Sequence, residues 1–123
     1  MMSYEDQSIS LLDDPRLRDA IDLFNNADWY KAHDSFEDLW HETIGPERIT
    51  LQAFLQVAVA QVHLEGGNNN GATILFGESL GRLRKPTTPD LGLDIAGLCK
   101  CVAIRLDLLQ RVLSPDNCDL PIL

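Results

Sequence analysis

Basic residues are scarce in this chain: 10 Lys and Arg stand against 19 Asp and Glu, which leaves a formal net charge of −9. Nucleic-acid backbones and anionic membrane surfaces both require clustered cations. The only local basic group is Arg82, Arg84 and Lys85, which we interpret as the last turn of a helix, where cations suit the helix dipole. The composition therefore predicts that the partner is neither nucleic acid nor membrane.

Long apolar runs are also missing, and no stretch reaches the roughly 20 apolar residues that span a bilayer. Residues 1–10 lack the basic and then apolar pattern of a signal peptide. Cys99, Cys101 and Cys118 form an odd set without secretory context, which favours free thiols in a reducing compartment. Cys99 and Cys101 would point about 200° apart on a helix, so they cannot chelate together. We expect a cytoplasmic protein.

Strand-like alternation is absent as well, whereas apolar residues recur at the helical period in successive segments. The predicted helices are 15–26, 29–43, 46–65, 71–83 and 95–113. The pattern predicts an all-α fold, a compact single-domain bundle of about five helices joined as helical hairpins. Residues 1–13 would form an N-terminal extension, residues 14–113 the bundle, and residues 114–123 an extended C-terminal tail with two prolines.

Three of these helices have a predicted role in packing. The third is apolar nearly all round over its second half, so we place it at the centre of the bundle. Gly77 and Gly81 lie four apart on the fourth helix and weaken it, so we expect them to allow close approach of a neighbouring helix. The predicted core stripe of the fifth helix is Ile95, Leu98, Val102, Leu106 and Leu109.

A polar row interrupts the most apolar stretch of the chain. Gln52, Gln56 and His63 share one side of the third helix with Arg48, within a sector of about 80°. On the second helix, His33 and Glu37 are four residues apart and therefore share a face. If these two helices pack antiparallel, the two polar sets can face one another. The sequence thus predicts a polar cluster of His33, Glu37, Arg48, Gln52, Gln56 and His63.

An ordered set of short motifs resembles one uncharacterised family of small helical bundles, known as domain of unknown function number 309. The resemblance covers about residues 20–83 and implies the helical fold, but no activity. The family usually has Glu after the motif histidine, whereas this chain has Asp34, whose carboxylate is one methylene shorter. The matching motifs are Ala32-His33-Asp34 with Glu37, then Trp40, Leu51-Gln52 with Gln56, His63, and Gly67-Asn68 with Gly71-Ala72.

The polar cluster has three interpretations. Two histidines and a carboxylate (His33, Glu37 and His63) are a plausible ligand set for Zn²⁺ or Fe²⁺, although the spacing is not the His-Glu-x-x-His of zinc proteases. The cluster could instead line a small-molecule or peptide pocket. The third interpretation is a buried hydrogen-bond network in which Glu37 holds His33 and the glutamines and Arg48 satisfy side chains and helix ends.

Two functional hypotheses follow from these interpretations. The first is a non-catalytic helical module that binds a protein partner or forms a homo-oligomer, with exposed apolar residues on the fifth helix and the tail, including Leu120, Ile122 and Leu123. The alternative is a metal-dependent hydrolase that uses His33, Glu37 and His63. No cofactor can be named from the sequence. In the network interpretation, His33→Ala would destabilise the fold by about 1–3 kcal/mol, because Glu37 would be left buried without its partner.

Overall fold

The computed structural model describes residues 10–123, and within them the chain is all-α. A short 3₁₀ turn at Leu11–Asp13 precedes five α-helices. These are α1 (Pro15–Asn25), α2 (Trp29–Glu42), α3 (Glu47–Glu65), α4 (Asn69–Leu83) and α5 (Ile95–Gln110). The predicted fold class is confirmed, and the helix boundaries agree with the prediction within about three residues. None of these helices is long and apolar enough to cross a membrane.

Consecutive helices pack as antiparallel hairpins around α3. This helix lies between α2 and α4, and α5 packs against α4. Most of the side chains that α3 buries are apolar, as its composition predicts. Four phenylalanines lie in the core, and three of their rings, those of Phe24, Phe36 and Phe54, meet edge to face, with the Phe36 and Phe54 ring centres 5.5 Å apart. The fully buried phenylalanines are Phe24, Phe36, Phe54 and Phe76.

The fifth helix differs from its prediction in two ways. It ends at Gln110 because Val112 adopts a left-handed backbone with φ of 57°, and the Leu113 amide turns back to donate to the Leu108 carbonyl at 2.8 Å. Its buried stripe is Leu98, Val102, Arg105 and Leu109. An arginine therefore occupies a core position where the prediction placed Leu106, which is only half-buried.

The C-terminal tail folds back onto the bundle. Pro115 and Pro121 are fully buried, although residues 114–123 have no helix or strand. At its end, the Leu123 amide donates to Oδ1 of Asn25 at 2.8 Å, and the Asn25 side-chain amide donates to the Leu123 carbonyl. These contacts join the last residue of the chain to the end of α1.

Candidate functional site

His33 and Glu37 face each other on α2, one helical turn apart. His33 Nε2 lies 3.1 Å from Glu37 Oε2, and His33 Nδ1 lies 3.2 Å from Asp34 Oδ1. The other Glu37 oxygen lies 3.8 Å from His41 Nε2. The predicted pairing of His33 with Glu37 is thus present as a local contact between neighbours on one helix.

The prediction that this pair is buried is wrong. The His33 side chain is 25% exposed and the Glu37 side chain 45% exposed. The pair lies at the edge of the apolar stripe of α2, and Ala32 and Phe36 take the inner positions. Solvent therefore reaches both side chains, which weakens any electrostatic contribution of the pair to stability.

Arg48 contacts the end of α2. Its guanidinium carbon lies 3.8 Å from the centre of the Trp40 ring, and its Nε donates to the Trp40 carbonyl at 3.2 Å. One side chain thus supplies a cation–π contact and a second donor for the Trp40 carbonyl, which also accepts from the Thr43 backbone amide at the end of α2. Arg48 positions the α2–α3 hairpin.

Gln52 and Gln56 lie on the side of α3 that faces α4. Gln56 Nε2 donates to Oε2 of Glu78 at 2.8 Å. Gln52 and Glu78 both line a groove of about 440 Å³ between α3 and α4. Gln56 is only 7% exposed, and its Oε1 has no hydrogen-bond partner among the described residues. A buried amide oxygen without a donor costs about 1–3 kcal/mol.

His63 lies in the last turn of α3, where it contacts the turn that leads to α4. The side-chain Nδ2 of Asn68 donates to His63 Nδ1 at 3.3 Å, and the backbone amide of Asn68 donates to the His63 carbonyl at 2.8 Å. Asn68 Oδ1 also caps α4 by accepting from the Gly71 amide at 3.0 Å. A Cβ on Gly71 would lie 2.6 Å from Asn68 Nδ2, and Gly67 has a positive φ of 80°. The geometry of this turn therefore explains why the motif has Gly67, Asn68 and Gly71.

The predicted cluster is thus distributed over separate places in the fold. His33 and Glu37 pair with each other, Arg48 contacts Trp40, Gln52 and Gln56 face Glu78, and His63 holds the turn. The cause is that α3 has neighbours on two sides, and its polar row points mainly toward α4 and the loop rather than toward His33. Within residues 10–123, no group of three or more His, Cys, Asp and Glu side chains is arranged to hold a metal ion.

Sequence reasoning missed Arg105, which is only 2% exposed. Its Nη1 donates to Oε1 of buried Gln61 at 3.1 Å, and its Nη2 donates to the carbonyls of Cys118 and Asp119 at 3.3 and 2.9 Å. A signal was available, since Leu98, Val102, Arg105 and Leu109 follow the spacing of a core stripe. Arg105 binds the tail to the bundle.

The groove between α3 and α4 is lined by side chains of both charges and by two glycines. A Cβ at Gly77 or at Gly81 would meet nothing within 4 Å. The predicted close approach of a neighbouring helix at these glycines is therefore wrong within this chain, because the space before them is open. The lining residues are Ile49, Gln52, Gly77, Glu78, Gly81, Arg82 and Lys85.

A second, wider groove of about 850 Å³ lies beside the N-terminus of α1. Its rim is acidic, with Asp14, Glu42, Glu47 and Asp90, and Arg16 is the cation among its lining residues. Arg16 bridges Asp14 and Glu42, and its guanidinium lowers the pKa of the Asp14 carboxyl. None of the residues of the predicted cluster lines this groove.

The cysteines are half-buried free thiols. Burial raises the pKa of the Cys99 and Cys101 thiols, and Cys101 Sγ donates to the Asp119 carbonyl at 3.4 Å. A thiol with a raised pKa forms less of the reactive thiolate. Neither of these two cysteines has the environment of a nucleophile.

The sequence model of one family, Domain of unknown function (DUF309), matches residues 17–75. The family predicted from the motifs is therefore confirmed. The DUF309 match includes His33, Glu37, the polar row of α3 and the Gly71 turn, and it ends before Gly77. No curated protein matches the chain. The family has no established function, so function has to be argued from the surfaces of this molecule.

Proposed function

We propose that this chain is a non-catalytic helical interaction module, and that the groove between α3 and α4 receives a helix of a protein partner. The observation that carries the proposal is the open face of α4 at Gly77 and Gly81. Glycine in a helix interior costs about 1 kcal/mol relative to alanine. Neither glycine is needed for a turn or for contact with another element of this chain.

A close contact with another molecule gives these glycines a physical use. Without side chains, the α4 backbone can approach a second helix to within the 8–10 Å that separates packed helix axes. The groove is also partly apolar, since Ile49 lines it and is exposed. Ile74, one turn before Glu78, is exposed as well. Covering these side chains would remove apolar surface from water.

The charged side chains of the groove supply a second reason. Glu78, Arg82 and Lys85 line it, and none of them forms an ion pair with a described residue. A partner helix that carries complementary charges could pair with them.

The first functional hypothesis also named apolar residues of the tail. Leu120 and Ile122 are exposed, whereas Leu123 is partly covered, and its backbone is tied to Asn25. These side chains agree with the expectation that apolar surface remains for a partner. They lie on the tail, outside the residues that line the groove, so they would extend a contact rather than form its centre.

The test of this function is site-specific photo-crosslinking in cells that express the full chain. Benzoylphenylalanine replaces Ile74 beside the groove or, as a matched control, exposed Ile104 on α5. We expect a discrete protein adduct from position 74, lost when Gly77→Leu is added, and no such adduct from position 104. Identical adduct patterns at both positions, or an adduct that Gly77→Leu leaves unchanged, would refute the role of the groove.

The metal-dependent hydrolase is not favoured by the arrangement of its three candidate residues. His33 and Glu37 pair locally on α2, whereas His63 is engaged by Asn68 at the α3–α4 turn. Hydrolysis at these residues stays a prediction from the sequence. It can be checked by elemental mass spectrometry of the untagged protein beside a variant with His33→Ala and His63→Ala, where metal lost in the variant would support it.

A further inference from the structure

We propose that the helix received by the groove is α4 of a second copy of this chain, packed antiparallel across Gly77 and Gly81. This inference rests on the proposed function and names the partner for the same groove. The contact would be isologous, because the same surface of both copies takes part in it.

The outward face of α4 has the shape that such a contact needs. Ile74, Gly77, Glu78 and Gly81 fall within a sector of about 100° around the helix. This sector points away from the buried face of α4, which Ala72, Phe76, Ser79, Leu80 and Leu83 form. The two glycines form one side of the sector, and Ile74 and Glu78 form the other. Two such faces can therefore interlock, each covering the glycines of the other.

The charges on this face are arranged for an antiparallel copy of itself. An antiparallel crossing centred at Leu80 brings Glu78 beside Arg82 of the other copy, because these positions lie two residues before and two residues after the centre. Glu78, Arg82 and Lys85 form no ion pair with one another or with any other described residue. Opposite charges would meet twice, once on each side of the two-fold axis.

Charge also favours a second copy over an unrelated partner. The chain carries a net charge of −9, so two copies repel over most of their surfaces. In the groove, two members of the local basic group, Arg82 and Lys85, lie with an acidic side chain, Glu78. A basic partner would be repelled by Arg82 and Lys85, and a uniformly acidic one by Glu78. In an antiparallel second copy the two charges come in reverse order, so that its Arg82 meets Glu78 and its Glu78 meets Arg82.

The first test is sedimentation equilibrium of the full chain from micromolar to millimolar concentration. We expect the mass to rise with concentration toward twice the 13.7 kDa of one chain. Gly77→Leu with Gly81→Leu should weaken association by about tenfold or more, since the side chains would hold the helices apart. Ala96→Leu adds the same bulk at an exposed position of α5 and should change nothing. Circular dichroism confirms that each variant is folded.

The second test depends on the antiparallel arrangement. Glu78→Arg places only cations at positions 78 and 82, and Arg82→Glu places only anions there, so neither variant should associate with itself. An equimolar mixture of the two should dimerise, because each copy then meets opposite charge. High salt should weaken this mixed dimer. A mixture that stays monomeric, while the wild type dimerises, would contradict the antiparallel pairing.

A failure here can be told apart from a failure of the proposed function. A monomer at every concentration, or a dimer that the leucine variants leave unchanged, overturns the second copy as partner. If the adduct from position 74 then contains a different protein, the groove still binds a helix and the interaction function stands. If position 74 gives no adduct at all, the groove has no partner and both proposals fall.

Discussion

Two polar side chains, His33 at the edge of one apolar stripe and Arg105 within another, have opposite environments. His33 on α2 is one quarter exposed and is met by carboxylates of its own helix. Arg105 on α5 is sealed under the tail and is met by carbonyls and an amide from distant parts of the chain. His33 belongs to the family motif, whereas no residue of the motif indicates a buried Arg105. Position on a helix face therefore does not decide burial; the elements that cover the face do.

The largest expected effect is at Arg105. Arg105→Met should lower the free energy of unfolding by about 3 kcal/mol, because buried acceptors on Gln61, Cys118 and Asp119 lose their donor. Urea-induced unfolding measures the loss. Arg111→Met is the matched control, since Arg111 is exposed and pairs only with Asp107 at 3.4 Å. A loss at position 105 no larger than at position 111 would mean that the tail is not held by Arg105.

Arg48 is partly buried, and its substitution should reduce stability less than that of Arg105 and more than that of His33. Arg48→Ala removes a cation–π contact with Trp40 and a hydrogen bond to its carbonyl, and we expect a loss of about 1–2 kcal/mol. Arg48→Lys keeps the charge but loses the planar stacking group, so it should recover only part of that loss. Full recovery by lysine in the same unfolding experiment would show that charge alone matters at this position.

His33 should matter less for stability than the sequence suggested. Since Glu37 is nearly half exposed, it stays hydrated when its partner is removed, and His33→Ala should cost about 0.5 kcal/mol or less. The melting temperature should fall by only a few degrees. A loss as large as that of Arg105→Met would mean that the pair is buried in solution and would erase the contrast between the two regions.

The smallest effect concerns the pH dependence at Asp14. Its carboxylate caps α1 by accepting from the Arg16 amide at 2.9 Å, and the hydrogen bonds from Arg16 lower its pKa. A lowered pKa in the folded state adds stability that is present above the unfolded pKa and is lost as pH falls through the folded pKa. The stability difference between wild type and Asp14→Ala, about 1 kcal/mol or less, should therefore shrink as pH falls below about 4. A difference that is constant with pH would contradict this.

Much of the fold could be predicted from the sequence because its signals are local. Asp14-Pro15, Gly66-Gly67 and Asp94 mark helix ends through chemistry within one turn, and the structure has helix ends beside each of them. The early end of α5 had no such signal, since Val112 takes a positive φ that its residue type does not favour.

The candidate site was harder to predict because a helical wheel gives directions and not neighbours. The polar row of α3 shares one sector of a helical wheel, yet whether each of its side chains meets α2 or α4 depends on how three helices pack. The role of Gly71 could be read from its spacing to Asn68. The open space in front of Gly77 and Gly81 could not be predicted, because a glycine on a helix is compatible with a contact inside the chain and with a contact to another molecule.

The central claim is that α4 forms the contact surface of this molecule and the His33–Glu37 face of α2 does not. Hydroxyl-radical footprinting of the full chain at low and at high concentration tests it directly. We predict that oxidation of Ile74 falls as concentration rises, while that of exposed Tyr30 and His41 on α2 stays constant. Protection of Tyr30 and His41 with no change at Ile74 would contradict this claim and would indicate that the His33–Glu37 face of α2 is the contact surface.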